Sequence, residues 1–393
     1  MTKLDELIQE LCPDGVKYLP IPELFITRNG YTPSKANNEF WENGTIPWFR
    51  MEDIRENGRI LTTATQYVSE KAVKGKLFPA DSIIIATSAT IGEHALIKVP
   101  SLANQRFTYL TLKDEFKDCV DMMFVFYYCF RLDEYCKSHL NQGNFASVDM
   151  KQFAAFKFPV PPLPVQREIV RILDNFTELT AELTAELTAR KQQYAYYRDK
   201  LLTFGDVRGG ATSDVVWKTL AEIADISTGS SNTDDAVKGG CYPFFVRSQQ
   251  LLAKDEYEYD EEAIITAGDG VGVGNVFHYI NGKYALHQRA YRIHPATDGL
   301  LGKYLYHYFV ATFPKYIGQQ MYQGSVPSIR RPMLNKFQVA IPSLDVQSRI
   351  VNVLDNFDAI CTDLSSGLPA EIKARQKQYE YYRDKLLSFE EKI

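Results

Sequence analysis

Leu173-Asp174-Asn175-Phe176, followed by Tyr196-Tyr197-Arg198-Asp199-Lys200-Leu201-Leu202-Thr203-Phe204, returns later as Leu354-Asp355-Asn356-Phe357 followed by Tyr381-Tyr382-Arg383-Asp384-Lys385-Leu386-Leu387-Ser388-Phe389. The match continues upstream. Pro161-Pro162-Leu163-Pro164-Val165-Gln166-Arg167-Glu168-Ile169-Val170 reads against Pro342-Ser343-Leu344-Asp345-Val346-Gln347-Ser348-Arg349-Ile350-Val351, and Gln142-Gly143 reads against Gln323-Gly324. The frame between the copies is about 181 residues, whereas solenoid units run roughly 20 to 50. Whole domains were doubled.

Each copy contains a helical seam. In the first, Ile169, Leu173, Phe176, Thr180, Leu183, Leu187, Arg190, Tyr194, Tyr197, Leu201 and Phe204 advance in steps of four and three, the a/d pattern of a coiled coil. This predicts one long helix from about Val165 to Phe204, stopped behind by Pro161, Pro162 and Pro164 and ahead by Gly205 and Gly209-Gly210. The second keeps the steps through Ile350, Leu354, Phe357, Cys361 and Leu364, and resumes at Arg375, Tyr379, Tyr382, Leu386 and Phe389. Ser365-Ser366-Gly367-Leu368-Pro369 between them is a turn signature, with Pro369 suited to the first turn of a new helix. Two helical pieces are expected there. Long apolar seams cannot stay solvated, and antiparallel pairing buries them against each other while setting the attached domains apart.

The segments before each helix, about Val16 to Lys157 and about Val215 to Phe337, are rich in strands. Short apolar runs such as Ser82-Ile83-Ile84-Ile85-Ala86, Phe107-Thr108-Tyr109-Leu110 and Ala263-Ile264-Ile265-Thr266 alternate with Gly, Asn and Pro turns. Val120 to His139 and Leu301 to Phe313 read as apolar helices. The segments are distant copies. Ala89-Thr90-Ile91-Gly92 reads against Asp269-Gly270-Val271-Gly272, Asn104-Gln105-Arg106 against His287-Gln288-Arg289, and Lys17-Tyr18-Leu19 against Lys218-Thr219-Leu220. Leu4 to Gly15 takes the place ahead of Lys17 that Leu201 to Asp214 takes ahead of Lys218, a cyclic layout in which the chain's end packs beside its beginning. The fold class expected is α+β: two strand-rich α+β domains joined by two long antiparallel coiled-coil helices, in a pseudo-twofold internal repeat. The division is 1–157, 158–204 (first helix), 205–338 and 339–393 (second helix).

Composition excludes several classes. No run approaches the ~20 apolar residues of a membrane span, and the start lacks a signal-peptide core, so a cytoplasmic protein is expected. Cys12, Cys119, Cys129, Cys136, Cys241 and Cys361 show no C-x-x-C pair, and His94, His139, His278, His287, His294 and His307 no ligand spacing, so no metal site is expected. Gly268-Asp269-Gly270-Val271-Gly272-Val273-Gly274 fits no G-x-G-x-x-G frame and precedes a strand-like Asn275-Val276-Phe277-His278-Tyr279, so it reads as a turn. Val160-Pro161-Pro162-Leu163 lacks the polar residue of a methyltransferase [ND]-P-P-[FY] motif. The formal net charge of −5 weighs weakly against DNA binding, because basic residues can still gather on one face.

The doubled P-x-L-x-x-Q-x-x-I-V-x-x-L-D-N-F start of each helix, the paired Y-Y-R-D-K-L-L ends, and Thr180-Ala181-Glu182-Leu183-Thr184-Ala185-Glu186-Leu187 make the chain resemble, over essentially its full length, the specificity subunits of type I restriction-modification systems. The resemblance implies two target recognition domains, each reading half of a split asymmetric DNA site. It implies helices that space the readers and carry two methyltransferase (modification) subunits, through which restriction/translocase subunits join. It further implies a non-catalytic chain without cofactors, with S-adenosylmethionine, ATP and magnesium expected on the partner subunits. The tetrapeptide repeat reads as a ruler: one unit adds ~6 Å and ~40° against ~3.4 Å and ~35° per base-pair step.

Arg reads guanine and Asn or Gln reads adenine on the major-groove edge. The candidate DNA-binding residues in the first reader are therefore Ser34, Lys35, Arg50, Lys71, Lys74, Ser88, Thr90, Asn104, Gln105 and Arg106. In the second they are Ser231, Asn232, Arg247, Ser248, Gln249, Asp269, His287, Gln288 and Arg289. Arg106 and Arg289 share a framework position, which suits phosphate contact or structure better than base readout. Gln142-Gly143 with Ser147, and Gln323-Gly324 with Ser328, read as a shared turn. The competing reading is a coiled-coil scaffold whose α+β domains bind proteins or glycans; it predicts no sequence-selective DNA footprint.

Overall fold

In the computed structural model, which describes residues 2–141, 146–204, 215–320, 327–363 and 365–392, Ser82–Ala86 forms the central strand of a five-stranded sheet. Successive strand residues point to opposite faces. Ile83 and Ile85 join a core with Phe124, Val125 and Leu132 of the helix Met122–Ser138. Ile84 and Ala86 join another with Trp48, Phe49 and Leu102 of a three-stranded sheet. A strand covered on both faces reads as an unbroken apolar run, hence the lack of alternation in its sequence. Ser82–Ala86 is antiparallel to Phe107–Leu112 and to His94–Ile97, and Phe25–Asn29 pairs with Phe107–Leu112 on its far side.

The second reader carries a six-stranded sheet in the order Ala224–Thr228, Ala290–Pro295, Tyr259–Ala267, Phe277–Leu286, Tyr242–Phe245, Leu252–Lys254. Tyr259–Ala267 and Phe277–Leu286 form a long hairpin in register from Tyr259↔Tyr284 to Thr266↔Phe277, and the glycine run connects them as expected. Ile264 packs with Phe309, Phe313 and Ile317 of the helix Gly302–Gln320, while Ala263 and Ile265 pack with Phe245 and Tyr284. This helix continues through Pro314, past its expected end at Phe313. An interior proline costs about 3 kcal/mol; beyond it Ile317 is buried and Tyr316 packs on Phe337, and burial at roughly 1.5–3 kcal/mol per such side chain offsets that cost. Phe337 anchors the face beyond Pro314, with its ring centroid 5.2 Å from those of both Phe313 and Tyr316.

The first spacer helix is continuous from Leu163 to Leu202. Its seam is visible as burial: Ile169 and Leu173 are buried, and Phe176, Thr180, Leu183, Leu187, Arg190, Tyr194 and Leu201 are half-buried among exposed neighbours. The second spacer is two helices, Leu344–Thr362 and Leu368–Leu386. At the break Asp363 accepts hydrogen bonds from the Ser365 backbone at 2.7 Å and hydroxyl at 2.6 Å, and Pro369 falls in the first turn of the next helix, as its sequence predicts.

The chain packs as two compact units, Met1–Ala181 with Ala374–Ile393, and Glu182–Lys373, so each reader is grouped with parts of both spacers. In the first unit Phe176 stacks on Tyr382, centroids 5.5 Å apart; in the second Tyr197 stacks on Phe357 at 5.9 Å. The phenylalanine of each L-D-N-F thus meets a tyrosine from the other repeat's Y-Y-R-D. The buried histidines His94 and His307 bond Asp133 at 2.7 Å and Asp355 at 2.9 Å, a core role.

The chain's end does pack beside its beginning: the Val16 N–H donates to the Glu390 carbonyl at 2.8 Å, and the Lys392 N–H to the Val16 carbonyl at 2.9 Å. One sequence match shifts. Leu19 pairs with Phe158, and Lys218 with Val339, so Lys218 corresponds to Leu19 and not to Lys17. Pairing to the partner strand, rather than residue identity, sets this register. Gln142-Gly143, Gln323-Gly324, Gly205, Gly209-Gly210, Leu364 and most of the segment ahead of Val215 lie outside the described residues.

Candidate nucleic-acid interface

Five backbone hydrogen bonds build the same loop edge in each unit. In the first, the N–H groups of Tyr31, Thr87, Ala89, Asn104 and Val148 donate to the carbonyls of Ala103, Arg106, Ala146, Phe49 and Thr87, at 2.8, 2.9, 3.4, 3.0 and 2.9 Å. In the second, those of Ser231, Gly268, Gly270, His287 and Ile329 donate to Leu286, Arg289, Pro327, Phe245 and Gly268, at 3.2, 2.8, 2.9, 2.9 and 2.8 Å. Gly30 and Gly229 start the loop that crosses this edge. A Cβ on Gly30 would come within 2.3 Å of the Asn104 carbonyl oxygen, and one on Gly229 within 1.9 Å of that of Leu286.

This frame makes Ser88 the counterpart of Asp269, each bridging the serine expected at the shared turn, Ser147 or Ser328. The sequence match that set Ala89 against Asp269 is one residue out. The backbone needs a left-handed residue directly after the bridge, and Ala89 (φ 66) supplies it in one unit while Gly270 (φ 81) supplies it in the other. Residue identity therefore conceals the equivalence.

The side chains then divide by what they bond. The Asn104 Oδ1 accepts the Arg106 N–H at 3.0 Å, and the His287 Nδ1 accepts the Arg289 N–H at 2.9 Å; both close the same turn. Burial and the charges of Arg247 and Arg289 lower the His287 pKa, which suits a neutral ring acting as acceptor. The Thr32 hydroxyl donates to Gln105 Oε1, and the Gln288 amide donates to Asn232. Thr32 escaped the sequence reading; the signal for it was its place two residues after Gly30. Ser231 is buried between Glu258 and Lys254.

Arg50 is engaged locally. Its backbone N–H donates to Asp53 at 2.7 Å, its guanidinium donates to Thr65 at 3.1 Å, and it lies over the Trp48 ring. Lys71 pairs with Glu39 at 3.0 Å, and Lys74 sits over Tyr31. Ser34 and Lys35 are exposed, with Lys35 in a shallow depression shared with Asn38, Trp41 and Gln66. The Thr90 hydroxyl is buried with no hydrogen-bond partner among the described residues. The Ser248 hydroxyl donates to the Gln250 carbonyl at 3.0 Å, and Gln249 is exposed.

The edge thus gathers Thr32, Ser88 and Asn104–Arg106 in the first unit. In the second it gathers Asn232, Arg247, Asp269 and His287–Arg289. Arg106 is exposed and makes no ion pair or side-chain hydrogen bond among the described residues, whereas Arg289 lies 3.3 Å from Asp269. Exposed guanidinium, amide and hydroxyl groups on a rigid edge can bond phosphates and base edges. Among the described residues no group of three His, Cys, Asp or Glu side chains is placed to hold a metal, and no helix is long and apolar enough to cross a membrane.

The model of the type I restriction modification DNA specificity domain matches this chain twice, over residues 13–190 and 212–374. The specificity subunit of the Escherichia coli type I restriction enzyme EcoprrI is 43% identical over 384 residues, 93% of each chain. The EcoR124I/EcoR124II specificity subunit of the same species is 34% identical over 280 residues, 64% of this chain and 68% of that one. Two solved structures share the fold. The S subunit from M. genitalium has 14% identity and a TM-score of 0.52 over 95% of both chains. A chain solved for complex assembly and conformational transition of the type I R-M system has 16% identity and a TM-score of 0.65 over 95% of this chain and 98% of that one. With the family's domain present twice and a relative matched nearly end to end, the chain belongs to the specificity subunits of type I restriction-modification systems.

Proposed function

We propose that the two readers, within 1–157 and 205–338, each recognise one half of a split asymmetric DNA site. The helices within 158–204 and 339–393 set the gap between the halves and carry two methyltransferase subunits, through which restriction subunits join. The chain is a non-catalytic cytoplasmic subunit that positions the chemistry of others, and S-adenosylmethionine, ATP and magnesium belong to those partners. The exposed candidate side chains named above supply the DNA contacts, those gathered on the loop edge foremost, while Ser231 and the Thr90 hydroxyl are buried away from such contact.

One observation carries this reading. Five backbone hydrogen bonds of the loop edge recur in both units, while the side chains it displays differ: Ser88 against Asp269, and Asn104 against His287. A common frame with dissimilar displayed residues suits two different half-sites and one kind of partner. The net charge of −5 is no obstacle when arginines gather at the displayed edge.

The test is a base-modification map of the host genome beside that of a strain deleted for this gene alone. Loss of a split adenine-methylation motif with a fixed internal gap is the expected result. Unchanged methylation, with no sequence-selective footprint from the assembled complex, would leave the scaffold reading.

A further inference from the structure

The two units share the backbone of the loop edge but not its charges. In the second unit the Asp269 carboxylate accepts from an Arg247 Nη at 2.6 Å and from an Arg289 Nη at 3.3 Å. Among the described residues of the first unit this edge carries no such cluster. Ser88 stands where Asp269 stands, the guanidinium of Arg106 has no ion-pair partner among the described residues, and the place of Arg247, two residues after the carbonyl that receives the shared turn, is held by buried Met51. Of the three members, the carboxylate is the most covered: its side chain is 26% exposed, against 39% for Arg247 and 60% for Arg289.

The physical consequence is orientation. A free arginine side chain samples many rotamers, and binding must freeze them. A guanidinium already held by a carboxylate keeps its plane fixed, and a fixed plane is what two-point contact with guanine O6 and N7 demands. The same carboxylate cancels part of the positive charge, which weakens attraction to phosphate at any sequence. An arginine that serves phosphate gains nothing from such a partner. Burial alone would raise the Asp269 carboxyl, but the hydrogen bonds and charges of Arg247 and Arg289 hold it below the usual carboxylate range, so it is ionised at neutral pH.

We propose that Asp269 is a specificity-determining positioning residue, which fixes Arg247 and Arg289 so that the second unit reads guanine in the major groove of its half-site. The inference rests on the DNA-reading function above. It separates Arg289 from Arg106, which the shared sequence position had placed together: the free arginine serves phosphate and the clamped pair serves bases.

The experiment uses the full methyltransferase complex assembled with Asp269→Asn, Asp269→Ser and the double variant R247A/R289A. Motifs are mapped by base modification in cells, and binding is measured by competition between duplexes carrying the native second half-site or single guanine replacements in it. In both Asp269 variants discrimination between those duplexes is expected to fall roughly tenfold or more, with binding to unrelated duplex rising and the first half-site unchanged. Asp269→Ser installs the first unit's residue, so agreement between the two variants rules out an effect of one particular side chain. If both keep native discrimination while R247A/R289A alters the motif, the positioning role is wrong and the DNA reading survives. If R247A/R289A also leaves the motif intact, this edge does not read DNA. A native second half-site with no G·C pair would overturn the proposal without any variant.

Discussion

Gln166 and Gln347 make the same three hydrogen bonds, each within its own unit. The Gln166 amide donates to the carbonyls of Cys119 and Pro161 at 2.8 and 2.6 Å and accepts the Asp121 N–H at 2.8 Å. The Gln347 amide donates to Gly299 and Pro342 at 2.9 and 2.8 Å and accepts the Leu301 N–H at 2.9 Å. Both are fully buried. Each glutamine ties the loop ahead of its reader's apolar helix to the proline that precedes a spacer helix, Pro161 or Pro342, so reader and spacer are oriented together.

Replacing either glutamine by leucine leaves two carbonyls and one N–H buried without partners, at about 1–3 kcal/mol for each such group. Gln166→Leu and Gln347→Leu are each expected to lower stability by about 3 kcal/mol or more in urea unfolding. Because the two sites lie in different units, the losses should add in the double variant to within about 0.5 kcal/mol. A single-variant loss below about 1 kcal/mol would mean that water replaces the amide.

Arg106, exposed and with no ion-pair partner among the described residues, is expected to contact phosphate. Arg106→Ala should weaken binding of the complex to all duplexes alike and reduce the slope of log affinity against log salt by about 1. A changed recognition sequence would reassign it to base readout.

Insertion of one Thr-Ala-Glu-Leu unit after Leu187 lengthens the continuous helix Leu163–Leu202 by ~6 Å with ~40° of rotation. Ala, Glu and Leu are strong helix formers and the four-residue step keeps the apolar seam. Methylation mapping should show a gap widened by one to two base pairs, the rotation favouring one, with both half-sites intact. An altered half-site beside an unaltered gap would end the ruler reading.

Glu168, buried beside Gln166, accepts from Arg171 at 2.7 Å and from Lys3 at 3.0 Å. The Arg171 hydrogen bond outweighs the cost of burial, and with Lys3 it holds the carboxyl at about 2, down from 4.5. A carboxyl depressed in the folded chain stabilises it above the unfolded value, and that stabilisation is lost as pH falls through the folded value. The first unit should therefore lose stability between about pH 4.5 and pH 2, and Glu168→Gln should remove that part of the acid dependence. Both cationic partners are largely exposed, so solvent screens them and the loss at neutral pH should be no more than about 1 kcal/mol. A variant whose acid unfolding overlays that of the parent would show that the pairing contributes nothing.

What could be read from the chain alone was whatever short-range periodicity encodes. The doubling, the four-three seam from Ile169 to Phe204, the turn at Ser365–Pro369 and the buried strand Ser82–Ala86 all stood in the order of apolar and turn-forming residues. A helix or strand buries its own repeating face, so its pattern is local. The displayed edge was only partly legible. Arg106, Asn104 and Asp269 could be nominated by residue type, but Asn104 closes a turn, Arg106 has no side-chain partner among the described residues, and Asp269 clamps two arginines that lie 22 residues before it and 20 after it. The equivalence of Ser88 with Asp269 was likewise hidden. It is carried by backbone hydrogen bonds and one left-handed residue, which alanine and glycine fill alike. Sequence by itself determined that there are two readers and two spacers; tertiary structure decided which side chains gather at the displayed edge and how each is held there, since segments distant in sequence meet only in the folded chain.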